Sequence, residues 1–588
     1  MIGKIIAIVQ NKVRVKLQID INNQANLINL HVVFEDEKNK VVGEIIDIVE
    51  NEAVISIAGE FKNDMFIPGF NQKPSFKSIV RLINMQELAL IFGDQQIKDN
   101  SQIRFGFSNV YKNYKINVDV NSFFSNHFAV LGNTGSGKSY TVARLIQNIF
   151  ISSDYLPVGA NIFMFDAYGE YTKAFSRLHD ISPMLNYKTY TTNTFYPDTE
   201  ILKIPLWLLG VDDLALLLDV TTPSQLPIIE KAIKLVPILK GSNEDVNKHK
   251  NDIIARSLLD ILMSGNESSK IRDQIIAVLT QFNTSKLNLE SEISQPGYVR
   301  TLKQCLYVDK SGKMQDMEVV TDFIKSFIVE GLNLNSNKTL VPYNLSDLEQ
   351  AMDFALISEG ILKSDRIFDY ANILRVRLHS LASSEERVYF DYPQMITKAN
   401  YINSLLTSQD NKKCQIVNFN INYVNDRLAK AITKILSKLL FDFASENKNR
   451  GSVPYHIIIE EAHRYVQQDA DREILGYNIF DRITKEGRKY GVLLGLITQR
   501  PSELSETAIS QCSNFVILRT LHPKDLDYIK NMVPNVSSEI IEHLKTLQPG
   551  NCIAFGTAFK LPTRLEIEQP NPAPLSNNAN IKKVWYTK

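Results

Sequence analysis

The stretch from residue 127 to residue 150, HFAVLGNTGSGKSYTVARLIQNIF, decides the fold of the chain. It begins with a short apolar run, continues through a glycine-rich segment and ends in a sequence with helical periodicity. A buried strand followed by a loop and a helix is typical of proteins with a parallel sheet covered by helices. We therefore expect a parallel α/β core built around this segment.

The glycine-rich segment matches GxxxxGK[ST], the pattern of a phosphate-binding loop. Glycines let the backbone fold around a phosphate and present N–H groups to it, while the following helix adds partial positive charge. Lys138 is expected to reach the β- and γ-phosphates, and Ser139 is expected to coordinate magnesium. The sequence thus predicts ATP and Mg²⁺ as cofactors. The predicted nucleotide-binding residues are Gly132, Asn133, Thr134, Gly135, Ser136, Gly137, Lys138, Ser139 and Tyr140.

A second apolar run, YHIIIEEAH at 455–463, ends in two carboxylates. A phosphate loop needs such an acidic partner at the end of a neighbouring strand. Glu460 is expected to hold a magnesium-bound water, and Glu461 is expected to orient or deprotonate the attacking water. The alternative is that the pair only forms a solvated strand end.

A third apolar run ending in acid, FMFDAYGEY at 163–171, lies close in sequence to the phosphate loop. Asp166 is predicted to join the metal site, and Glu170 is a further candidate carboxylate. The alternative is a strand followed by a polar turn, with Gly169 as the bend.

The segment TKEGRKYG at 484–491 is interpreted as a glycine-flanked turn before the next strand. Such a turn would suit Arg488 for stabilising transition-state charge across a subunit boundary, although an ordinary surface arginine is the alternative. Gln499 follows that strand and is expected to sense phosphate. The predicted catalytic residues are Lys138, Glu461, Arg488 and Gln499.

Length and composition limit the class of protein. A chain of 588 residues is expected to form several domains, and 65 basic against 65 acidic residues give no global positive field. The four cysteines form no CxxC pair, which disfavours a zinc site and a disulfide framework. Neither a signal-peptide core nor about 18 consecutive apolar residues is found, so a cytoplasmic location without membrane contact is expected.

Changes in sequence pattern divide the chain into five parts. Short alternating β-branched runs in 1–105 predict a small antiparallel barrel or sandwich, and the last segment is rich in proline and asparagine. The predicted parts are 1–105 (β domain), 106–200 (α/β core, first part), 201–400 (helical insertion), 401–568 (core, second part) and 569–588 (extended tail).

Five motifs together resemble the HerA-type ATPases, hexameric DNA translocases in the FtsK-HerA group of P-loop motors. The motifs are GNTGSGKS at 132–139, FDAYGEY at 165–171, IIIEEAHRY at 457–465, KEGRKYG at 485–491 and LITQRPSEL at 496–504. The resemblance implies a RecA-like core, an N-terminal small β-barrel, an inserted helical bundle and a C-terminal extension that packs on a neighbouring subunit. It also implies a homohexamer with ATP sites between subunits, acting on double-stranded DNA with a nuclease or NAD-hydrolase effector.

The sequence departs from the family pattern at two positions and leaves other functions open. Glu460 stands where many P-loop motors carry Asp, and Lys485 stands where relatives can carry Arg, which favours Arg488 as the arginine acting in trans. Arg375 and Arg377 in the insertion are further candidates. A rival hypothesis is an ATP-dependent scaffold that regulates an anti-phage defence effector. A monomeric small-molecule kinase is disfavoured by the long separation of the loop from Glu461.

Overall fold

The computed structural model describes most of the chain and shows an N-terminal barrel joined to an α/β core. The described residues are 1–18, 26–37, 39–97, 101–151, 155–195, 200–240, 244–329, 340–358, 365–532, 538–576 and 581–586. No helix in this described part combines the length and the apolar character needed to cross a bilayer. All four cysteines are buried and free of disulfides.

The first seven strands form one antiparallel sheet that closes on itself. They are β1 (Gly3–Val9), β2 (Lys12–Leu17), β3 (His31–Glu35), β4 (Lys40–Val49), β5 (Glu52–Lys62), β6 (Met65–Pro68) and β7 (Ile79–Leu82). Their order is β2-β1-β7-β3-β4-β5-β6, and pairing of β2 with β5 closes a six-stranded barrel. Residues alternate between buried and exposed along β2, as the sequence pattern predicts for half-buried strands. The predicted small β-barrel is confirmed.

The core is a single twelve-stranded sheet. Its strands are β8 (Gln102–Ser108), β9 (Lys115–Asp119), β10 (Phe128–Leu131), β11 (Ile162–Asp166), β12 (Tyr187–Thr191), β13 (Glu200–Ile201), β16 (Ile416–Asn420), β17 (Tyr455–Ile459), β18 (Val492–Thr498), β19 (Asn514–Leu518), β20 (Asn551–Gly556) and β21 (Phe559–Glu566). The order is β13-β12-β16-β11-β17-β18-β10-β19-β20-β21-β8-β9, and the run from β13 to β19 is parallel. The predicted parallel α/β core is confirmed. The remaining pairings are antiparallel.

Helices cover the sheet and form the insertion between β13 and β16. The helices outside the insertion are α1 (Met85–Phe92), α2 (Val120–Phe124), α3 (Lys138–Ile151), α4 (Leu178–Ile181), α14 (Asp426–Ser445), α15 (Asp471–Leu475), α16 (Ile479–Tyr490), α17 (Glu506–Ser510), α18 (Pro523–Met532), α19 (Ser538–Thr546) and α20 (Ile581–Trp585). The insertion contains α5 (Val211–Leu217), α6 (Leu226–Lys240), α7 (Glu244–Leu262), α8 (Ser268–Gln281), α9 (Leu302–Cys305), α10 (Met317–Lys325), α11 (Leu345–Ser358), α12 (Asp365–Ser383), α13 (Lys398–Leu405) and the hairpin of β14 (Glu292–Gln295) and β15 (Tyr298–Thr301). A buried ion pair of 3.0 Å between Lys438 and Asp213 joins the insertion to α14.

The structure corrects the interpretation of residues 484–491 as a turn, because these residues form the end of α16 and its cap. The side chain of Asn478 accepts from the N–H of Phe480 at the helix start, and Gly491 ends the helix in a left-handed conformation. Gly487 is not a bend. A Cβ there would lie 2.4 Å from the carbonyl oxygen of Val492, so only glycine lets α16 approach β18 this closely.

The end of the chain also differs from the predicted extended tail. Residues 581–585 form α20, and the preceding segment packs on the core. Glu568 pairs with Arg144 of α3 at 2.9 Å, and the N–H of Leu575 donates to the carbonyl oxygen of Glu170 at 2.7 Å. We call residues 568–575 the C-terminal strap.

Candidate functional site

The predicted site residues other than Arg488 lie at the carboxyl edge of the parallel strands. In this sheet β18 lies between β10, which leads into the phosphate loop, and β17, which ends at the two glutamates. The prediction that these two strands are direct neighbours is therefore wrong. The two strands are one position further apart because β18 pairs with both. Gln499, which follows β18, therefore lies between the phosphate loop and the carboxylates. The residues at this edge are Gly132 after β10, Asp166 in β11, Glu460 and Glu461 after β17, Gln499 after β18 and Arg519 after β19.

The phosphate loop takes a backbone conformation that its glycines allow. Gly135 and Gly137 have φ of 74° and 96°, in the left-handed region that disfavours side chains. The N–H of Asn133 donates to the carbonyl oxygen of Arg519 at 2.9 Å, and the N–H of Gly550 donates to that of Ser136 at 3.1 Å. The loop is thus held between the end of β19 and the start of β20.

Lys138 begins α3 and faces the acidic side of the site. Its Nζ donates to the carbonyl oxygen of Asn133 at 3.3 Å. Burial lowers the pKa of Lys138, and the carboxylates of Glu461, Glu460 and Glu170 oppose this change. The ammonium therefore lies among three negative charges, and Ser139 and Tyr140 follow it in the first turn of α3.

Glu460 and Asp166 form a buried acidic pair. Oε2 of Glu460 accepts the N–H of Ala167 at 3.0 Å. Burial raises the pKa of Glu460 well above its ordinary value, and the charges of Asp166 and Glu170 raise it further. Such a group of carboxylates is stabilised by a cation, which fits a divalent metal close by.

Glu461 differs from its neighbour in backbone and in bonding. Its φ of 47° is in the left-handed region, which is costly for a residue with a side chain. Its Oε2 is buried and, within the described residues, accepts no hydrogen bond, although it lies 3.2 Å from Nδ1 of His463. That imidazole nitrogen is within hydrogen-bonding distance, 3.0 Å, of Oγ1 of Thr498. Burial raises the pKa of Glu461, whereas Lys138 lowers it.

Two other predicted site residues lie at opposite ends of β18. Gln499 accepts a hydrogen bond from Oγ1 of Thr134 in the phosphate loop. Arg488 is exposed in the last turn of α16, before β18 begins, and burial, followed by the positive charge of Arg488, lowers the pKa of His127 before β10. The structure thus brings Gln499 to the phosphate loop and leaves Arg488 away from it within one chain.

Arg519 was missed by the sequence reasoning. It follows β19, its carbonyl oxygen holds the phosphate loop, and its Nε is buried without a hydrogen-bond partner in the described structure. The signal was available, because NFVILR at 514–519 is an apolar strand ending in a polar residue, as at Gln499.

Arg375 and Arg377, the other candidates for an arginine that reaches an active site, form ion pairs with Asp353 and Asp219 of the insertion.

The residues present fit ATP with magnesium. The loop supplies a glycine cradle and a lysine, and Glu461 offers a buried carboxylate oxygen that accepts no hydrogen bond within the described part of the chain. Among the described residues no group of three His, Cys, Asp or Glu side chains is arranged to hold a metal by itself. This agrees with the way Mg²⁺ usually binds beside nucleotides, through phosphates, water and one or two protein ligands.

Comparisons with known proteins point to one family. The profile described as "Helicase HerA, central domain" matches residues 103–333. A probable helicase of Methanocaldococcus jannaschii is 25% identical over 549 residues, which cover 92% of this chain and 86% of that protein. The DNA double-strand break repair helicase HerA of Pyrococcus furiosus is 24% identical over 533 residues, with coverage of 90% and 79%. The structure of VirB4 of Thermoanaerobacter pseudethanolicus aligns with a TM-score of 0.39 at 12% identity, covering 83% of this chain and 100% of that one.

The resemblance to the HerA-type ATPases that the five motifs predict is confirmed by the family profile and by relatives that align with most of the chain. The phosphate loop, the carboxylates and Gln499 lie together on the sheet edge where this class of protein binds nucleotide. The chain is therefore a P-loop ATPase that resembles the HerA helicases.

Proposed function

We propose that the protein is a ring-forming ATPase that couples ATP hydrolysis to movement along double-stranded DNA, together with a partner nuclease or effector. The relatives named as DNA double-strand break repair helicases support the action on DNA. The barrel at 1–105 is proposed to serve assembly and partner docking. The helical part at 201–400 interrupts a core formed by 106–200 and 401–568.

The position of Arg488 carries the proposal of a ring. Arg488 and Gln499 lie at opposite ends of β18, a strand of seven residues, which at about 3.3 Å per residue separates its ends by about 20 Å. Arg488 is exposed, and none of the described residues forms an ion pair with it. One chain therefore cannot bring this guanidinium to its own phosphate loop, whereas a neighbouring copy in a ring can.

The roles of the residues follow from their surroundings. Magnesium bound with ATP would neutralise charge that develops during phosphoryl transfer. Lys138 binds phosphate oxygens. Ser139 and Glu460 hold the metal and its water. Gln499 contacts the γ-phosphate side of the loop. Glu461, with its free buried oxygen, orients the attacking water and accepts its proton. Arg488 of the adjacent subunit stabilises transition-state charge.

Mixing two inactive variants tests the shared site. Lys138→Ala removes the phosphate lysine, and Arg488→Ala removes the arginine acting in trans, so each homomeric protein is expected to lose hydrolysis. In an equal random mixture, about a quarter of interfaces combine an intact loop with an intact arginine, as expected for a closed ring with head-to-tail interfaces. We expect ATPase activity to return to about that fraction of wild type. Mixtures that stay inactive, or a native mass of one chain with ATP present, would refute the ring.

A further inference from the structure

The two carboxylates of the segment 165–171 use their oxygens differently. Oδ1 of Asp166 accepts the N–H of Glu170 at 2.9 Å. Its Oδ2 accepts the N–H of Tyr171 at 2.9 Å and Nδ2 of Asn418 at 3.1 Å. The side chain is fully buried. Both oxygens of Asp166 therefore already accept hydrogen bonds from donors of the protein itself, and Oδ2, which accepts two, has no lone pair left for a metal ion.

Glu170 has the free oxygen that Asp166 lacks. Its Oε2 is buried and accepts no hydrogen bond from the described residues. Its carboxylate raises the pKa of Lys138 and of both Glu460 and Glu461, whereas Asp166 is not among the charges acting on Lys138. Glu170 therefore faces the phosphate lysine and the catalytic carboxylates.

The turn that carries Glu170 is tightly fixed. Gly169 has φ of 73°, and a Cβ there would lie 2.8 Å from Nδ2 of Asn420, so the turn packs directly on β16. The C-terminal strap contacts the other side of this turn, because the N–H of Leu575 donates to the carbonyl oxygen of Glu170. With Asp166 binding the N–H groups of Glu170 and Tyr171, the backbone from which the Glu170 side chain extends is fixed from three sides.

We infer that Glu170 is the carboxylate that joins Glu460 in supporting nucleotide-bound magnesium, and that Asp166 is a positioning residue that holds Glu170 in place. The inference rests on the proposed function, in which this edge of the sheet binds ATP with Mg²⁺. It reassigns the metal role that the sequence gave to Asp166. Glu170 acts on the hydrated ion, because residues in this outer position tune metal affinity without replacing the main ligands.

The test measures binding rather than hydrolysis. ADP raises the melting temperature of a protein that binds it, and the Mg²⁺ concentration giving half of this rise reports on metal support. Glu170→Gln keeps the shape of the side chain and removes its charge. It is expected to raise that Mg²⁺ concentration by about 10- to 100-fold, the usual cost of losing an outer metal partner. Asp166→Asn is expected to do the same and to lower the melting temperature without ADP. Asp180→Asn, which removes an exposed charge nearby, is expected to match wild type.

The outcomes separate the inference from the function on which it rests. If Glu170→Gln has the Mg²⁺ dependence of wild type while Asp166→Asn does not, Asp166 is itself the ligand and the inference is wrong. If neither variant changes the dependence, both roles are wrong while the nucleotide site stands. If ADP stabilises wild type equally with and without Mg²⁺, the proposed magnesium-dependent site fails, and the inference fails with it.

Discussion

Adjacent residues at the end of β17 have different surroundings, which support the different roles proposed for them. Glu460 is held by the N–H of Ala167 and lies against Asp166 deep in the sheet. Glu461 turns away through its left-handed backbone, and its Oε2 accepts no hydrogen bond from any residue that the structure describes. A strained φ at a functional position is a cost that a protein keeps where the side-chain direction matters. These surroundings support the proposed roles, metal support for Glu460 and proton acceptance for Glu461.

Glu461→Gln is predicted to separate ATP binding from hydrolysis. Glutamine has the same shape but cannot accept the proton of the attacking water, so hydrolysis should fall by roughly 10²- to 10⁴-fold. Affinity for a fluorescent ATP analogue should be retained, and movement along DNA should be lost. Phosphate release and analogue binding measure the two properties. Glu503→Gln, which alters an exposed carboxylate paired with Arg500, serves as the control. Normal translocation by Glu461→Gln would contradict the mechanism.

At the scale of elements, α16 shows how one glycine sets the packing of a helix on a strand. Its apolar side chains face the core, and Gly487 lies against the first residue of β18. The contact is with backbone, which cannot rotate away as a side chain could. The position of Arg488, one residue later, therefore depends on this close approach.

Gly487→Ala is predicted to destabilise the core by about 1–3 kcal/mol, the usual cost of overpacking. The added Cβ would stand 2.4 Å from the carbonyl oxygen of Val492, and this cost exceeds the gain in helix propensity. The midpoint of thermal unfolding measures the effect. Gly159→Ala is the matched control, since a Cβ there meets nothing within 4 Å. Equal melting temperatures for the two variants would show that α16 can move away from β18.

A buried amide of α3 adds further hydrogen bonds to those that hold the C-terminal strap. Nε2 of Gln147 donates to the carbonyl oxygens of Ala174 at 2.8 Å and Pro572 at 2.9 Å. Its Oε1 accepts the N–H of Asn571 at 3.0 Å. One side chain therefore joins the strap, the phosphate-loop helix and the segment that follows Glu170.

Gln147→Ala is predicted to destabilise the full chain by about 1–3 kcal/mol, because it leaves buried backbone groups without partners. In a chain that lacks residues 569–588 the same change should cost clearly less, since two of the three partners are already gone. Melting temperatures of the four proteins form a double-mutant cycle. The same loss in both backgrounds would mean that the strap does not depend on Gln147.

These elements also show what sequence can and cannot predict. The phosphate loop and the strand ends at Asp166, Glu460 and Gln499 were predictable, because each combines a local pattern with a local structure. The placement of β18 between β10 and β17 depends on the pairing of β18 with β10, which lies hundreds of residues earlier in the chain, and no local pattern records it. The helical conformation of Arg488 was missed because its flanking glycines are typical of turns, whereas here one serves packing and the other a helix cap.

At the scale of the whole molecule, the barrel meets the core through a buried polar cluster. Nδ1 of His31 in β3 lies 2.8 Å from the hydroxyl of Tyr111, which also accepts the N–H of His31 at 2.9 Å. Beside them, Arg564 of β21 lies 3.1 Å from the carboxylate of Glu44 in β4. Burial, and then the charge of Arg564, lowers the pKa of His31 to about 4. This histidine is therefore neutral when the barrel is docked.

Acidification is predicted to weaken the folded protein through His31. Its pKa is lower in the folded state than the ordinary 6.5, so the unfolded chain takes up the proton first and stability falls as the pH drops from 6.5 towards 4. The loss from this residue is about 2 kcal/mol between pH 7 and pH 5. His31→Gln cannot be protonated at this position. Its melting temperature should therefore fall less over that interval than the melting temperature of wild type. His127, whose pKa burial also lowers to about 4, keeps part of the dependence. His179→Gln, an exposed histidine on α4, is the control. If the melting temperatures of His31→Gln and wild type fall by the same amount, the folded protein accommodates a charged His31. The interface would then admit more water than the burial of His31 indicates.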